Sequence, residues 1–202
     1  MSKRKIVAFD RLSADGYFAA PDGNLNWVVP DDAIDQAGVA GMASTDTMLF
    51  GRRTYDQFES FWPRVASDAP VAPDPHAQRR TSPALGSMAK WINEKTKIVF
   101  SKTRKEVTWN NSRLVREIDP RQIEDLKNES GKDMIIFGSG SLVSQLTEHG
   151  LIDEYMFVVC PVLLGGGKSL IRDVSKGVRL DLVDFTKFDS GNVVFRYARR
   201  AT

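Results

Sequence analysis

Between Ile6 and His149 the chain alternates short apolar runs with amphipathic stretches. This alternation constrains the fold more than any other feature. A run of four to eight apolar residues followed by a helical stretch and another apolar run is the pattern of parallel strands joined by crossover helices. The apolar runs are Ile6–Phe9, closed by Asp10, then Thr47–Phe50, Lys97–Phe100, the weaker Ser112–Arg116, Met134–Phe137 and Tyr155–Val162. Helices are expected from Asp31, with Ile34, Ala37 and Gly38 on one face, and over a short stretch holding Tyr55, Phe58 and Phe61. Others are expected over Leu85–Asn93, over Pro120–Asn128 behind an Asp119 cap, and over Ser141–Glu148, stopped by Gly150. The chain closes differently. Leu180–Phe188 and Val193–Ala198 flank Asp189-Ser190-Gly191-Asn192, a hairpin signal. The expected fold is α/β, with a mixed, mainly parallel sheet whose antiparallel part is C-terminal.

Two segments interrupt the alternation. Residues Ser13–Asn26 hold Asp15-Gly16 and Pro21-Asp22-Gly23 and read as a loop. Pro63–Pro83 carries five prolines and reads as a surface excursion. A length of 202 residues fits one domain spanning the chain with this excursion inside it.

Composition then removes function classes. Cys160 is the sole cysteine and His76 and His149 the sole histidines, so neither a disulfide nor a Cys-rich zinc site is expected, and no metal is predicted. Lys plus Arg number 28 against 26 Asp plus Glu, a balance unlike that of a dedicated nucleic-acid binder. No apolar run approaches the roughly 20 residues of a membrane span, and the basic start runs directly into a strand, not a signal core. A soluble, cytoplasmic protein is expected.

The strand ends carry the chemistry. Gly138-Ser139-Gly140-Ser141-Leu142 joins a strand to a helix, where glycines admit a ligand to the backbone and helix-start amides attract phosphate. As a dinucleotide fingerprint it is incomplete, with Val143 where a third glycine belongs. It reads either as a phosphate site or as a plain strand-to-helix turn. Gly51-Arg52-Arg53-Thr54 forms a second such junction with two guanidinium groups, and Ser101-Lys102 ends a third strand. Ligands of α/β sheets collect at the carboxyl ends of strands, and a ligand with several phosphates would use all three. Gly165-Gly166-Gly167-Lys168-Ser169 is not a P-loop, because Val162 stands where a glycine is required; a tight turn with positive φ is expected instead. Asp15, Asp31 and Asp32 are the acids near the first loop; spacing favours helix capping for Asp31 and Asp32. Cys160 reads as a buried core residue.

Taken together, Ser13-x-Asp15-Gly16-Tyr17, Gly51-Arg52-x-Thr54-Tyr55, Gly138–Leu142 and Pro161-Val162-x-Leu164-Gly165-Gly166-Gly167 resemble the dihydrofolate-reductase-like family. They are most similar to its branch related to the C-terminal reductase domain of the bifunctional riboflavin-biosynthesis deaminase/reductase. The resemblance covers Ile6 to Tyr197, except Pro63–Pro83. It implies a three-layer sandwich with about eight strands, an NADPH cofactor and a homodimer. It implies that Gly51, Arg52, Arg53 and Thr54 bind phosphate, that Ser101 and Lys102 hold the adenosine 2′-phosphate, and that Gly138, Ser139, Gly140, Ser141 and Leu142 face the pyrophosphate. It places Ala8 beside the nicotinamide. Trp27-x-x-Pro30-x-Asp32 matches the spacing of the substrate-facing Trp and acid of dihydrofolate reductases, which gives Asp32 a catalytic role and makes Asp15, Trp27 and Asp32 substrate residues. No arginine matches the one that holds a folate tail, and the deaminase half is absent. The expected protein is a stand-alone NADPH-dependent reductase of a small heterocyclic substrate. The alternative is a catalytically inactive nucleotide-binding protein of the same fold.

Overall fold

The computed structural model describes residues 3–67 and 83–200. Eight strands form one sheet in the order β5-β4-β3-β6-β1-β7-β10-β9. These are β1 (Ile6–Ser13), β3 (Thr45–Gly51), β4 (Thr96–Phe100), β5 (Ser112–Val115), β6 (Asp133–Phe137), β7 (Glu154–Cys160), β9 (Leu180–Lys187) and β10 (Val193–Arg199). The first six run parallel; β10 is antiparallel to β7, and β9 to β10. Two short strands, β2 (Tyr17–Ala19) and β8 (Lys168–Ser169), pair separately.

Helices cover both faces, and strand alternation decides which side chains each face buries. Ile6, Ala8, Leu49, Ile98, Met134 and Ile136 pack beneath α4 (Pro120–Asn128) and α5 (Gly140–Glu148). Met48, Phe50 and Val99 pack on the other side with Tyr55, Phe58, Phe61 and Trp62 of α2 (Arg52–Ala66) and Ala89 and Ile92 of α3 (Pro83–Glu94). Helix α1 (Asp32–Gly41) lies against α3 and leads through a 3₁₀ turn, Met42–Ser44, into β3. The result is the expected three-layer α/β sandwich. Among the described residues, no helix is long and apolar enough to cross a membrane.

Several boundaries differ from expectation. Strand β1 continues four residues beyond Phe9, and Asp10 and Arg11 pair there with β7, past the end of the β6 pairing. The loop at Ser13–Asn26 contains β2, whose three residues are too few to show a period. Helix α2 runs through Pro63 and ends at Ala66, and Pro83 opens α3, so both ends of the proline-rich stretch are helical. Pro63 is tolerated because it stands in the final turn, where only one backbone bond is forfeited. The remainder of the excursion, including His76, lies outside the described residues.

Candidate functional site

Helix starts differ in a way that locates the site. Asp31 caps α1, its carboxylate accepting from the amides of Ala33 at 2.8 Å and Ile34 at 3.3 Å. Asp119 caps α4, accepting from Arg121 at 2.9 Å. Helices α2 and α5 have no side-chain cap. The positive end of each of these dipoles is left without a side-chain partner. Both open onto one cleft of about 650 Å³ at the carboxyl ends of the parallel strands. That volume is typical of small-molecule and cofactor sites.

The cleft brings together the three junctions singled out in the sequence: Gly51, Arg52, Arg53 and Thr54; Ser101 and Lys102; and Gly138 through Leu142. Two of them are physically joined. The Gly51 N–H donates to Ser139 Oγ at 2.9 Å, and that hydroxyl donates to Thr54 Oγ1 at 2.9 Å. Holding the hydroxyl there places Ser139 at φ 59°, directly after Gly138 at φ 55°. Gly140 is needed for a different reason: a Cβ there would stand 2.9 Å from the Phe18 ring. A cradle in which a side chain would collide, flanked by two helix starts without a side-chain cap, fits a phosphate-bearing cofactor.

Charge on the cleft is mostly positive. Arg52 pairs with Asp56 at 3.4 Å, and Lys102 with Glu117 at 3.6 Å with both side chains largely in solvent. Ser101 Oγ accepts from the Arg104 amide at 3.0 Å, fixing the turn in which Lys102 sits. Arg116, Lys168 and Arg172 also line the cleft and were missed in the sequence. The last two stand beyond the Gly165 turn, which has the expected positive φ of 67°. Gly167 passes so near Ala19 that a Cβ would meet its carbonyl oxygen at 2.4 Å.

Apolar side chains also line the cleft, among them Leu25, Pro30, Trp62, Leu85, Met88 and Ile92. Arg11 and Asp35, 3.7 Å apart, line it too. Asp32, expected there, is not on the lining; Asp35, one turn later, is. Trp27 is also off the lining, with its indole N–H enclosed and without a hydrogen-bond partner. Asp15 serves the scaffold. Its carboxylate accepts from Ser13 Oγ at 2.6 Å, from Leu164 N–H at 3.1 Å and from Gly165 N–H at 2.7 Å. The Ser13 hydroxyl, with these amides, holds it below its ordinary range. Ala8 is fully buried in the core under α5 and does not line the cleft. Cys160 is buried, as expected, and burial pushes its thiol up.

Asp10 is the least expected member. It lines the cleft, is 2% exposed, and neither carboxylate oxygen has a hydrogen-bond partner. Burial alone holds its acid well above the ordinary carboxylate range, favouring the undissociated form. A signal for it existed: charged residues inside a central strand contradict their surroundings, and such conflicts concentrate at functional sites.

Comparison with known proteins agrees with this architecture. A family model for the RibD C-terminal domain matches residues 4–194. The uncharacterized protein YyaP of Bacillus subtilis (strain 168) is 27% identical over 197 residues, covering 98% of this chain and 96% of the relative. A crystal structure of a putative riboflavin biosynthesis protein from Shewanella sp. PV-4 superposes with a TM-score of 0.70 at 24% identity, over 98% of this chain and 99% of that one. Dihydrofolate reductase from Enterococcus faecalis, complexed with NADP(H), superposes with a TM-score of 0.60 at 11% identity over 99% of both chains. The family-model match over nearly the whole length shows that this chain belongs to the RibD C-terminal domain family.

Proposed function

We propose that the protein is an NADPH-dependent reductase that reduces an electron-poor C=N carbon of a small heterocyclic substrate. The observation that carries this reading is the division of the helix starts: α1 and α4 are capped by aspartate, whereas the starts of α2 and α5 line the cleft with no side-chain cap over their leading amides. Thr54 and Gly138 through Leu142 would hold the diphosphate with those amides, and Arg52, Arg53 and Lys102 would hold the 2′-phosphate. When bound, the reduced nicotinamide supplies hydride from its C4. The apolar walls from Leu25 to Ile92 exclude water from the acceptor, while Arg11 and Asp35 orient its polar edge. The α1 acid that serves the acceptor is in this reading Asp35, not Asp32.

A fluorescence titration with NADPH and NADH tests the cofactor assignment; saturable, NADPH-selective binding is expected, and absence of NADPH binding overturns it. Loss of nicotinamide absorbance with dihydrofolate, with 5-amino-6-(5-phosphoribosylamino)uracil and with a wider panel of cyclic imines tests the chemistry. Selective binding without any turnover would favour the inactive nucleotide-binding protein instead.

A further inference from the structure

The cations that line the cleft are not equally committed. Arg52 pairs with Asp56, Lys102 with Glu117 and Arg11 with Asp35, and Arg116 donates to the carbonyls of Arg104 and Lys105. Lys168 and Arg172 line the cleft too, and among the described residues neither side chain has an ion pair or a hydrogen bond. Lys168 is half-buried and Arg172 exposed, so a ligand in the cleft has access to both.

The fold carries both to the start of α5. Strand β8 lays Lys168 alongside β2, whose Phe18 ring packs against Gly140. Gly23 leaves room for the ammonium, since a Cβ there would stand 2.6 Å from Lys168 Nζ. Past β8 the backbone is fastened to α5. Ser144 Oγ donates to Leu170 O at 3.0 Å and accepts from the Arg172 N–H at 3.0 Å. Leu170 O also lies 3.4 Å from where a Cβ on Gly140 would be. Ser144 is one helical turn from Ser141, which lines the cleft with Gln145. Arg172 therefore leaves the backbone beside the first turns of α5.

In the NADPH reading, Arg52, Arg53 and Lys102 answer the 2′-phosphate. The diphosphate is negative on both phosphates, yet Thr54 and Gly138–Leu142 include no cation. Each helix start supplies only about half a positive charge. We infer that Lys168 and Arg172 provide the counter-charge to the cofactor's diphosphate, from the β8 side of the cleft. This rests on the NADPH reading and adds to it two residues far along the chain from the glycine turn they complete. A guanidinium bonds two phosphate oxygens at once, and an ammonium adds a point charge.

Three ligands test this against Lys168→Gln, Arg172→Gln and the double variant. NADPH and 2′-phosphoadenosine diphosphoribose carry the diphosphate; adenosine 2′-monophosphate does not. Each single substitution should weaken the first two ligands by about 10-fold, and the double by more, because a charge-assisted bond is lost each time. Adenosine 2′-monophosphate should bind all four proteins alike. Neither side chain bonds within the described protein, so the variants should fold as wild type does. A double variant that binds NADPH as tightly as wild type overturns the inference. So does a loss for NADPH without a loss for 2′-phosphoadenosine diphosphoribose, which would put the cations at the nicotinamide. An equal loss for adenosine 2′-monophosphate would put them at the adenosine end and overturns it too. Wild type that binds none of the three ligands removes the cofactor reading itself, and the role of Lys168 and Arg172 with it.

Discussion

Removing the Ser139 hydroxyl should loosen two strand-to-helix turns, Gly51–Thr54 and Gly138–Leu142, at once. In Ser139→Ala the Gly51 N–H loses its 2.9 Å acceptor, and Thr54 Oγ1 loses its 2.9 Å donor. Ser139 and Thr54 are both buried, so solvent replaces these bonds poorly. A lost neutral bond costs about 1 kcal/mol and an orphaned buried partner somewhat more, which gives about 2 kcal/mol for the alanine variant. The same residue stands at φ 59°, a left-handed conformation that costs a residue with a Cβ about 1 kcal/mol. Ser139→Gly loses the hydroxyl but relieves that cost, so it should be destabilised by only about 1 kcal/mol. Equilibrium urea denaturation should therefore rank wild type above Gly and Gly above Ala. Thr54→Val, which breaks the bridge from the other side, should be strongly non-additive with Ser139→Ala. NADPH affinity should fall in each variant. Equal stability of the Ala and Gly variants would refute the strain argument, and an alanine variant as stable as wild type would refute the bridge.

Three further outcomes are expected. Replacing Arg52, Arg53 and Lys102 together by glutamine should bring the NADPH-to-NADH affinity ratio close to one and flatten its salt dependence; an unchanged ratio in paired titrations would move the 2′-phosphate elsewhere. Lys97 is fully buried, donates to the carbonyls of Asn93, Lys95 and Asn110 at 2.9–3.0 Å and lies over the Trp109 ring. Burial lowers its pKa from 10.5 to about 8, so the unfolded chain holds the extra proton between those values and wild-type stability from this group should rise with pH across that window. Lys97→Met, which strands three carbonyls, should be less stable by about 2–4 kcal/mol at pH 7, with the gap widening as pH rises from 8; a gap that is flat with pH would refute the assignment. We also propose that a second copy covers the edge strand β9, where Leu182, Val183 and Phe185 are 51%, 53% and 62% exposed. Sedimentation velocity should then show a dimer that Phe185→Lys dissociates, and a wild-type monomer at tens of micromolar would remove the proposal.

What the sequence disclosed divides along physical lines. Strand-to-helix alternation is a local pattern, so the layers and the parallel sheet were legible. The glycine and arginine turns were legible for the same reason, since turn chemistry is written in adjacent residues. In the sequence Asp10 and Arg11 look like the boundary of β1, and β6 indeed pairs only as far as Phe9; it is β7 that carries the strand through to Ser13. The rotation of α1 was equally out of reach. Ile34 points to the core, and that packing brings Asp35 to the cleft and leaves Asp32 off it. Asp15 belongs to a motif, yet its partners Leu164 and Gly165 lie far along the chain.

The position of β1 has a consequence for how the molecule is made. It is the first of these strands to leave the ribosome, but its neighbours β6 and β7 begin only at Asp133 and Glu154. Meanwhile β3, β4 and β5 can pair among themselves as they emerge. The centre of the sheet therefore closes late, on contacts of long sequence separation, which are the slow ones. The cleft wall closes later still, because β2 waits for Lys168 and Ser169. A nascent chain is thus without a finished cleft until Ser169 has been synthesised.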